Sequence, residues 1–498
     1  MTESIFEKIK KYVLYCGWLI PLFSGIMGYC VNGPMNLIDG IYASIALFFV
    51  NPVTTDIHNP WVFIAEYTGV IFTATVILDV IFFIFKNAGK WWDLRWSDST
   101  AIYTDEDDDI KEILKKEFRH GFIINEEDSI EDDAKRHIVM FRDDSKSLHF
   151  FSSHKNHFTG QKVYMVLNEI DSSLLRGLDD KELEFHYINR FDLMARQFWK
   201  ENSLYDQIIS KKLPKPYKIG IVGFGSAGRA IFRFGFINNL YALDQEIEYH
   251  IWDIDYNTAE FVSSLDTMNK DIIFVHKESP LEQIAQIADM NRVIIADQDD
   301  KLAILQNLLY INLDLPIYYY SEKTIDLESI LAAGGVICFG DLKDILNEDN
   351  IINERLYRMG KLFNYDYILD YNRKHKKGME KIINYNEDDL EKEWLRADGY
   401  GKESSIARAD HYYIERRLIK DHIASVDKIS EMEHIRWCRF LFVNHYKQGN
   451  VAKSERKRMR RHSLLIPYSD LAEEEKSKDS INDAKIQEEL DKELREET

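Results

Sequence analysis

The chain has 498 residues, enough for about three domains of roughly 150 residues each. Its 84 Asp and Glu outnumber 63 Lys and Arg, a formal net charge of −21, which argues against general nucleic-acid binding because phosphate contacts need clustered cations. Four cysteines (Cys16, Cys30, Cys338, Cys438) show neither pairing nor metal-ligand spacing and read as reduced, structural thiols.

Apolar residues are concentrated near the N-terminus, where no Lys or Arg occurs between Tyr12 and Phe85. Residues 12–31 are long enough to cross a ~30 Å hydrocarbon layer as a helix, and residues 61–85 form a second candidate span. Trp61 opens the second span, and Lys86, Lys90, Trp91 and Trp92 close it. A cleaved signal peptide would be shorter and would end in a small-residue cleavage site. Lys8, Lys10 and Lys11 precede the first span and the segment between the spans has no cation, so the positive-inside rule predicts a hairpin in the inner membrane with both termini cytoplasmic. Between the spans, the apolar run from Ile38 to Val50 is too short to cross and too apolar for an exposed loop, which predicts a re-entrant helix buried by protein. Glu66 and Asp79 lie inside the second span, where a carboxylate faces a watery cavity, a partner or the interface.

Residues 95–205 read as alternating strands and helices: a strand at STAIYT, a helix at IKEILKKEF and strands at HIVMF and KVYMVLN. KKLPKPYK, with Pro214 and Pro216, is the linker to a second α/β segment. That segment opens with KIGIVGFGSAGRAIF from Lys218, which joins a strand (Ile219 to Val222) through a glycine turn to a helix (Arg229 to Phe236). This is the pattern of a Rossmann phosphate-binding corner, with Gly223, Phe224, Gly225, Ser226, Ala227 and Gly228 as its loop. The second strand, EIEYHIWDID, ends in Asp253 and Asp255, where a carboxylate would meet ribose hydroxyls; an insertion at Tyr241 to Glu246 lengthens the usual spacing of about 20 residues. A weak repeat pairs RHIVMFRDDSK at Arg136 with NRVIIADQDDK at Asn291, and KVYMVLN at Lys162 with PIYYYSE at Pro316. Residues 346–389 read as a charged helical connector. No nucleophile elbow, zinc spacing, Walker loop or kinase signature occurs, and no acid–base residue stands beside the glycine corner, so no catalytic or metal site, and no enzymatic activity, is expected.

The order span, short apolar helix, span, with LIDGIYASIALFF in its middle, resembles the pore module of two-span potassium channels. Where that family has a glycine-containing carbonyl ladder, this chain has Phe48, Phe49, Val50 and Asn51 without glycine, so potassium selectivity is not implied. Asp79 is the acid this resemblance would place beside the pore cavity. GIVGFGSAG, HIWDID and VIIADQDD resemble the RCK/TrkA-N nucleotide-binding domain across residues 217–345, which implies a ligand contact for Asp297 at the end of a third strand. Residues 95–205 are then a degenerate copy serving as a structural partner. In residues 390–498, EMEHIRWCRF and RHSLLIPYSDL resemble the ryanodine-receptor (RyR) repeat, with a departure at Tyr446 to Gly449. That resemblance implies ligand candidates in His434, Arg436, Trp437 and Tyr468, although a His and a Trp on one helix also suit a core. The basic run KSERKRMRR adds Arg458 and Arg461 as an anion clamp, or as a solvated loop.

Together these readings give an α-helical membrane hairpin with a re-entrant helix (1–94), two α/β Rossmann-like domains (95–205 and 217–345), a connector (346–389) and a mainly α-helical RyR-like domain with an acidic tail (390–498). They imply a homotetrameric, ligand-gated, ion-channel-like membrane protein whose regulatory ligand is NAD or an adenine nucleotide. One version is a bacterial nucleotide-signalled defence effector. The expected partners are a second copy, membrane lipid and a small nucleotide, with no nucleic acid. A non-conducting membrane-anchored sensor or scaffold, and a membrane-tethered NAD-dependent enzyme, are the alternatives.

Overall fold

The structure, a computed structural model, describes residues 17–49, 51–53, 56–96, 98–124, 130–131, 133–171, 174, 183–210, 215–331, 335–375, 384–476, 481 and 483–496. The chain divides into two units, Met1–Ser97 and Asp98–Thr498.

In the first unit, α1 (Leu19–Ile26) continues into a π-helical turn (Met27–Val31), α2 (Leu37–Ala46) ends in a 3-10 turn (Leu47–Phe49), and α3 spans Pro60–Trp96. Asn36 starts α2 by accepting the Asp39 N–H at 2.9 Å, and Asn59 starts α3 by accepting the Val62 N–H at 3.0 Å. The Asn59 amide also donates to the Gly28 carbonyl at 2.9 Å, pinning α3 to the turn after α1. Small residues let these helices approach: a Cβ on Gly28 would meet the Val62 side chain at 2.6 Å, and one on Gly25 would collide with Ser44.

Pro60–Phe82, 23 residues of mean hydropathy 1.7, is long and apolar enough to cross a membrane. The other apolar helices described in this unit, Leu19–Val31 and Leu37–Phe49, are shorter. The first predicted span is therefore described only over its last part; residues 12–16 and the flanking Lys8, Lys10 and Lys11 lie outside the described residues, as does Val50. Ile38, Phe49, Tyr67 and Phe82 are each more than two thirds exposed, an apolar surface that water alone does not stabilise.

The second unit is built on two parallel sheets. The first contains β1 (Thr100–Tyr103), β2 (Gly121–Ile124), β3 (Arg136–Val139), β4 (Lys162–Leu167) and β5 (Glu184–Asn189), in the order β2-β1-β3-β4-β5. Its helices are α4 (Asp108–Glu117), α5 (Asp144–His154) and α6 (Arg190–Glu201). The second contains β6 (Tyr217–Val222), β7 (Ile247–Trp252), β8 (Ile272–His276), β9 (Arg292–Ile295), β10 (Ile317–Tyr320) and β11 (Val336–Phe339), in the order β8-β7-β6-β9-β10-β11. That is the strand order of Rossmann folds, and the first sheet has the flavodoxin-like order. The helices α7 (Ser226–Asn238), α8 (Tyr256–Ser263) and α9 (Lys301–Ile311) accompany the second sheet. The near-continuous apolar runs of β6 and β9 are what burial on both faces demands. Since β8 intervenes, VIIADQDD forms the fourth strand of its sheet, which corrects the expectation of a third.

Five longer helices complete the unit: α10 (Arg358–His375), α11 (Glu387–Arg396), α12 (Gly399–Lys420), α13 (Val426–Val443) and α14 (Ala484–Glu496). Buried charges bind them to the sheets. Arg439 on α13, fully buried, donates to the carbonyls of Thr267 and Phe236, to Asn269 Oδ1 and to Asp271 Oδ2 at 2.7 Å. Arg196 on α6 makes a forked pair with Asp410 on α12, its Nε 2.8 Å from Oδ2.

Candidate functional site

In a doubly wound sheet the ligand crevice opens where the strand order reverses. Here that point lies between β6 and β9, whose C-terminal ends carry the Gly223 turn and Asp297. Gly223 has φ +90°, and a Cβ on it would meet the Asp297 backbone at 2.7 Å, so both the turn and the close approach require glycine. A Cβ on Gly225 would meet Asp297 Cβ at 2.6 Å, and one on Gly228 would collide with the Gly223 carbonyl. Each glycine is thus fixed by a separate steric contact. Gly225 is the N-cap of α7, the end at which the helix dipole attracts anions.

An anion from the chain itself stands at that end. Asp297 Oδ2 accepts the Gly228 N–H at 2.8 Å, the place where a phosphate oxygen sits in nucleotide-binding Rossmann folds. Asp253 follows β7 in a left-handed conformation, φ +64°, which Asp tolerates better than most residues. Its carboxyl is raised above the usual carboxylate range, first by burial and then by the charges of Asp299 and Asp297. Arg229 braces the loop by donating from Nε to the Gly225 carbonyl at 3.2 Å.

Not every predicted residue joins this corner. Asp255 caps α8, accepting the Thr258 N–H at 2.9 Å and the Thr258 hydroxyl at 2.6 Å, bonds that hold its carboxyl below the usual range. Phe224 is buried and packs on Phe232, with ring centroids 5.8 Å apart. Ser226 and Ala227 form the first turn of α7, with Ala227 buried. Asp299, which raises Asp253, escapes the sequence reading, although its place two residues beyond Asp297 is a signal.

The corresponding crevice of the first sheet is filled by its own ion pairs. After β1, Asp105 meets Lys146 at 2.9 Å, and Glu106 meets Arg142 at 3.2 Å and Arg190 at 3.6 Å. Without glycines and with its acids and cations paired among themselves, that crevice offers no comparable cradle among the described residues.

The C-terminal candidates do not converge on one ligand. His434 Nε2 donates to the Ile466 carbonyl at 2.8 Å; Trp437 stacks beside His434, and Tyr468 lies 5.9 Å from it. Burial lowers the His434 pKa, as expected of a core imidazole. Arg436 is buried in a forked pair with Glu433 at 2.6 and 2.7 Å, committed to the interior. Arg458 pairs with Glu455 on the surface, and Arg461 donates to the Gln448 carbonyl at 3.0 Å. Among the described residues one group has metal-ligand spacing, His411, Glu415 and Glu433; Arg408 and Arg436 already occupy Glu433, so a cation there would face two guanidiniums.

In the first unit, the Phe48 carbonyl accepts the Thr73 hydroxyl at 2.7 Å and the Phe48 ring meets Phe72 edge-on, tying α3 to the end of α2. Phe49 is 78% exposed, Asn51 is exposed and Asp79 on α3 is partly buried.

No family model matches the chain, and no curated protein matches it in sequence. Similar solved structures include GsuK bound to ADP, at 13% identity and TM-score 0.36 over 70% of this chain and 99% of that one. L-tryptophan dehydrogenase from Nostoc punctiforme matches at 12% identity and TM-score 0.27, over 65% of this chain and 87% of its own. A D-lactate dehydrogenase from Treponema pallidum matches at 9% identity and TM-score 0.22, over 66% and 98%. These neighbours correct one expectation: dehydrogenases stand among them, so the chain is not to be classed as a non-enzyme, and at such distance enzymatic activity is not established.

Proposed function

We propose that the chain is a membrane-anchored receptor whose glycine corner binds an adenine nucleotide or NAD, and that this binding governs the pore-like helical module. The observation carrying the reading is the Gly223–Gly225–Gly228 turn at the switch point of a Rossmann-ordered sheet, with Asp253 at the end of the neighbouring strand. Asp253 would take the ribose hydroxyls. Asp297 holds the helix end in the absence of ligand, and a phosphate would displace its carboxylate from the Gly228 N–H. Binding then opens the contact between β9 and α7, a differential interaction of the kind a ligand needs to shift a two-state equilibrium. The homotetramer and the inner-membrane hairpin belong to this reading, as does a role in nucleotide-signalled defence.

The test uses the full chain in detergent, with ADP, ATP and NAD added in a thermal-shift series. A ligand at 100 times its Kd stabilises by about 2.7 kcal/mol. Stabilisation by one of these nucleotides, lost in Gly225→Asp, supports the corner; equal stabilisation of wild type and variant removes it. Reconstituted protein in a planar bilayer then separates two outcomes. Nucleotide-dependent current supports gating, whereas silence with intact nucleotide binding favours the anchored, non-conducting sensor, a reading that the glycine-free segment Phe48 to Asn51 favours.

A further inference from the structure

A cavity of about 60 Å³, several times the ~10–15 Å³ that one water occupies, lies where β5 and α6, α7, and α11 to α13 meet. Phe185, Tyr357, Trp394 and Phe440 supply aromatic walls. Most of its charges are spoken for. Glu403 pairs with Arg233, and Glu354 pairs with Lys361 and His186, both at 2.8 Å. Asp192 stands 3.9 Å from Arg233.

Two cationic groups are not. Lys402 makes no hydrogen bond or ion pair among the described residues; its ammonium rests over the Trp394 ring, 5.4 Å from the centroid. Burial pushes its pKa down, outweighing the field of the Glu354, Glu391 and Asp398 carboxylates. Arg196 also lines the cavity, and although its Nε and Nη2 serve Asp410, its Nη1 is buried without a partner. An unpaired ammonium and a guanidinium with one orphaned N–H, on two residues that line the same cavity, are costly unless an acceptor arrives.

We propose that this cavity is a second ligand site, for a small organic monoanion: a carboxylate on a short, flat apolar body, with Lys402 and Arg196 as its anchors. Three cations (Arg196, Arg233, Lys402) and three carboxylates (Asp192, Glu354, Glu403) line the cavity, and Lys402 is the cation without a direct ionic partner, so a single negative charge meets it, whereas a phosphate dianion would set a second charge against those carboxylates. The aromatic walls select a flat body over a hydrated inorganic ion. No residue of the glycine corner lines this cavity.

Benzoate is the probe, with benzyl alcohol as its neutral counterpart and inorganic phosphate as the competing anion, each titrated against the full chain in detergent. Saturable stabilisation by benzoate and by neither of the others is expected. Lys402→Met keeps the stem over Trp394 and should weaken benzoate about tenfold or more without lowering the melting temperature of the unliganded protein. Should that variant fold poorly, Ala397→Leu fills the cavity wall and is expected to abolish the benzoate shift while leaving any nucleotide shift unchanged. No benzoate stabilisation at millimolar concentration, equal stabilisation by benzyl alcohol, preference for phosphate, or undiminished binding in a folded Lys402→Met would each overturn the proposal.

Discussion

Asp297 occupies the Gly228 N–H that the proposed nucleotide site would offer to a phosphate. Its carboxylate sits on the helix end that a phosphate would need, so replacing it with an amide should help an anion: Asp297→Asn keeps an acceptor for the Gly228 N–H and removes a like charge. Nucleotide affinity is expected to rise about tenfold in titration calorimetry, and a fall would mean that the carboxylate is a ligand contact and not a place-holder. Arg439 is the opposite case, a charge whose surroundings are complete. Arg439→Met strands Asp271 in the interior and should cost about 3–5 kcal/mol in denaturant unfolding, whereas Arg458→Ala, at an exposed pair, should fall within about 0.5 kcal/mol of wild type. The sequence made the three glycines legible because their spacing is dictated by a local turn. Spacing did not reveal that Asp255 is a cap, that Phe224 turns inward or that Arg436 is internally paired, although Thr258 and Glu433 stand only three residues away, because which way each side chain turns is settled by packing.

Among the elements, several strands were readable: β1 and β4 fall within segments marked as strands by composition, and β3 and β6 overlap theirs, starting one and two residues earlier. The strands β2, β5 and β8 were not, because GFII is a short run and EFHYIN and IIFVH mix His or Glu into the pattern. In β5 that irregularity has a structural use. His186 bridges Glu354 at 2.8 Å and Glu184 at 3.1 Å, with Lys361 and Lys162 behind those acids. Burial alone would lower the imidazole pKa, but the two facing carboxylates raise it overall. A histidine raised on folding contributes stability that is full below its unfolded pKa of about 6.5 and lost as pH rises through the folded value. Unfolding free energy should therefore fall from about pH 6.5 into the alkaline range, and His186→Gln should flatten that slope. An unchanged slope would assign the dependence elsewhere. Glu184 works on the other side: paired with His186 and Lys162, it is pulled down to about 2, so its contribution is lost only in strong acid.

At the scale of the molecule, the order of a membrane-apolar unit, two parallel sheets and a helical end was legible because each has its own hydrophobic period. What joins the parts of the second unit was not, since ion pairs such as Arg196 to Asp410 and Arg439 to Asp271 connect residues well over a hundred positions apart. Helix α7 gathers these connections. Its N-terminus carries the glycine corner, Arg233, Phe234 and Ile237 line the aromatic cavity, and the Phe236 carbonyl accepts Arg439. A helix moves largely as a rigid rod, so an anion at its N-terminus and a carboxylate against its middle act on the same body about 10 Å apart, at 1.5 Å per residue. If both sites are filled as proposed, α7 is expected to couple them, and linkage is reciprocal: the factor by which ADP changes benzoate affinity equals the factor by which benzoate changes ADP affinity. Calorimetric titration of each ligand with and without a saturating amount of the other measures both factors. A shared factor of about five or more is expected, corresponding to about 1 kcal/mol of coupling. Two ligands that bind with no mutual effect would show that α7 holds both sites without transmitting between them.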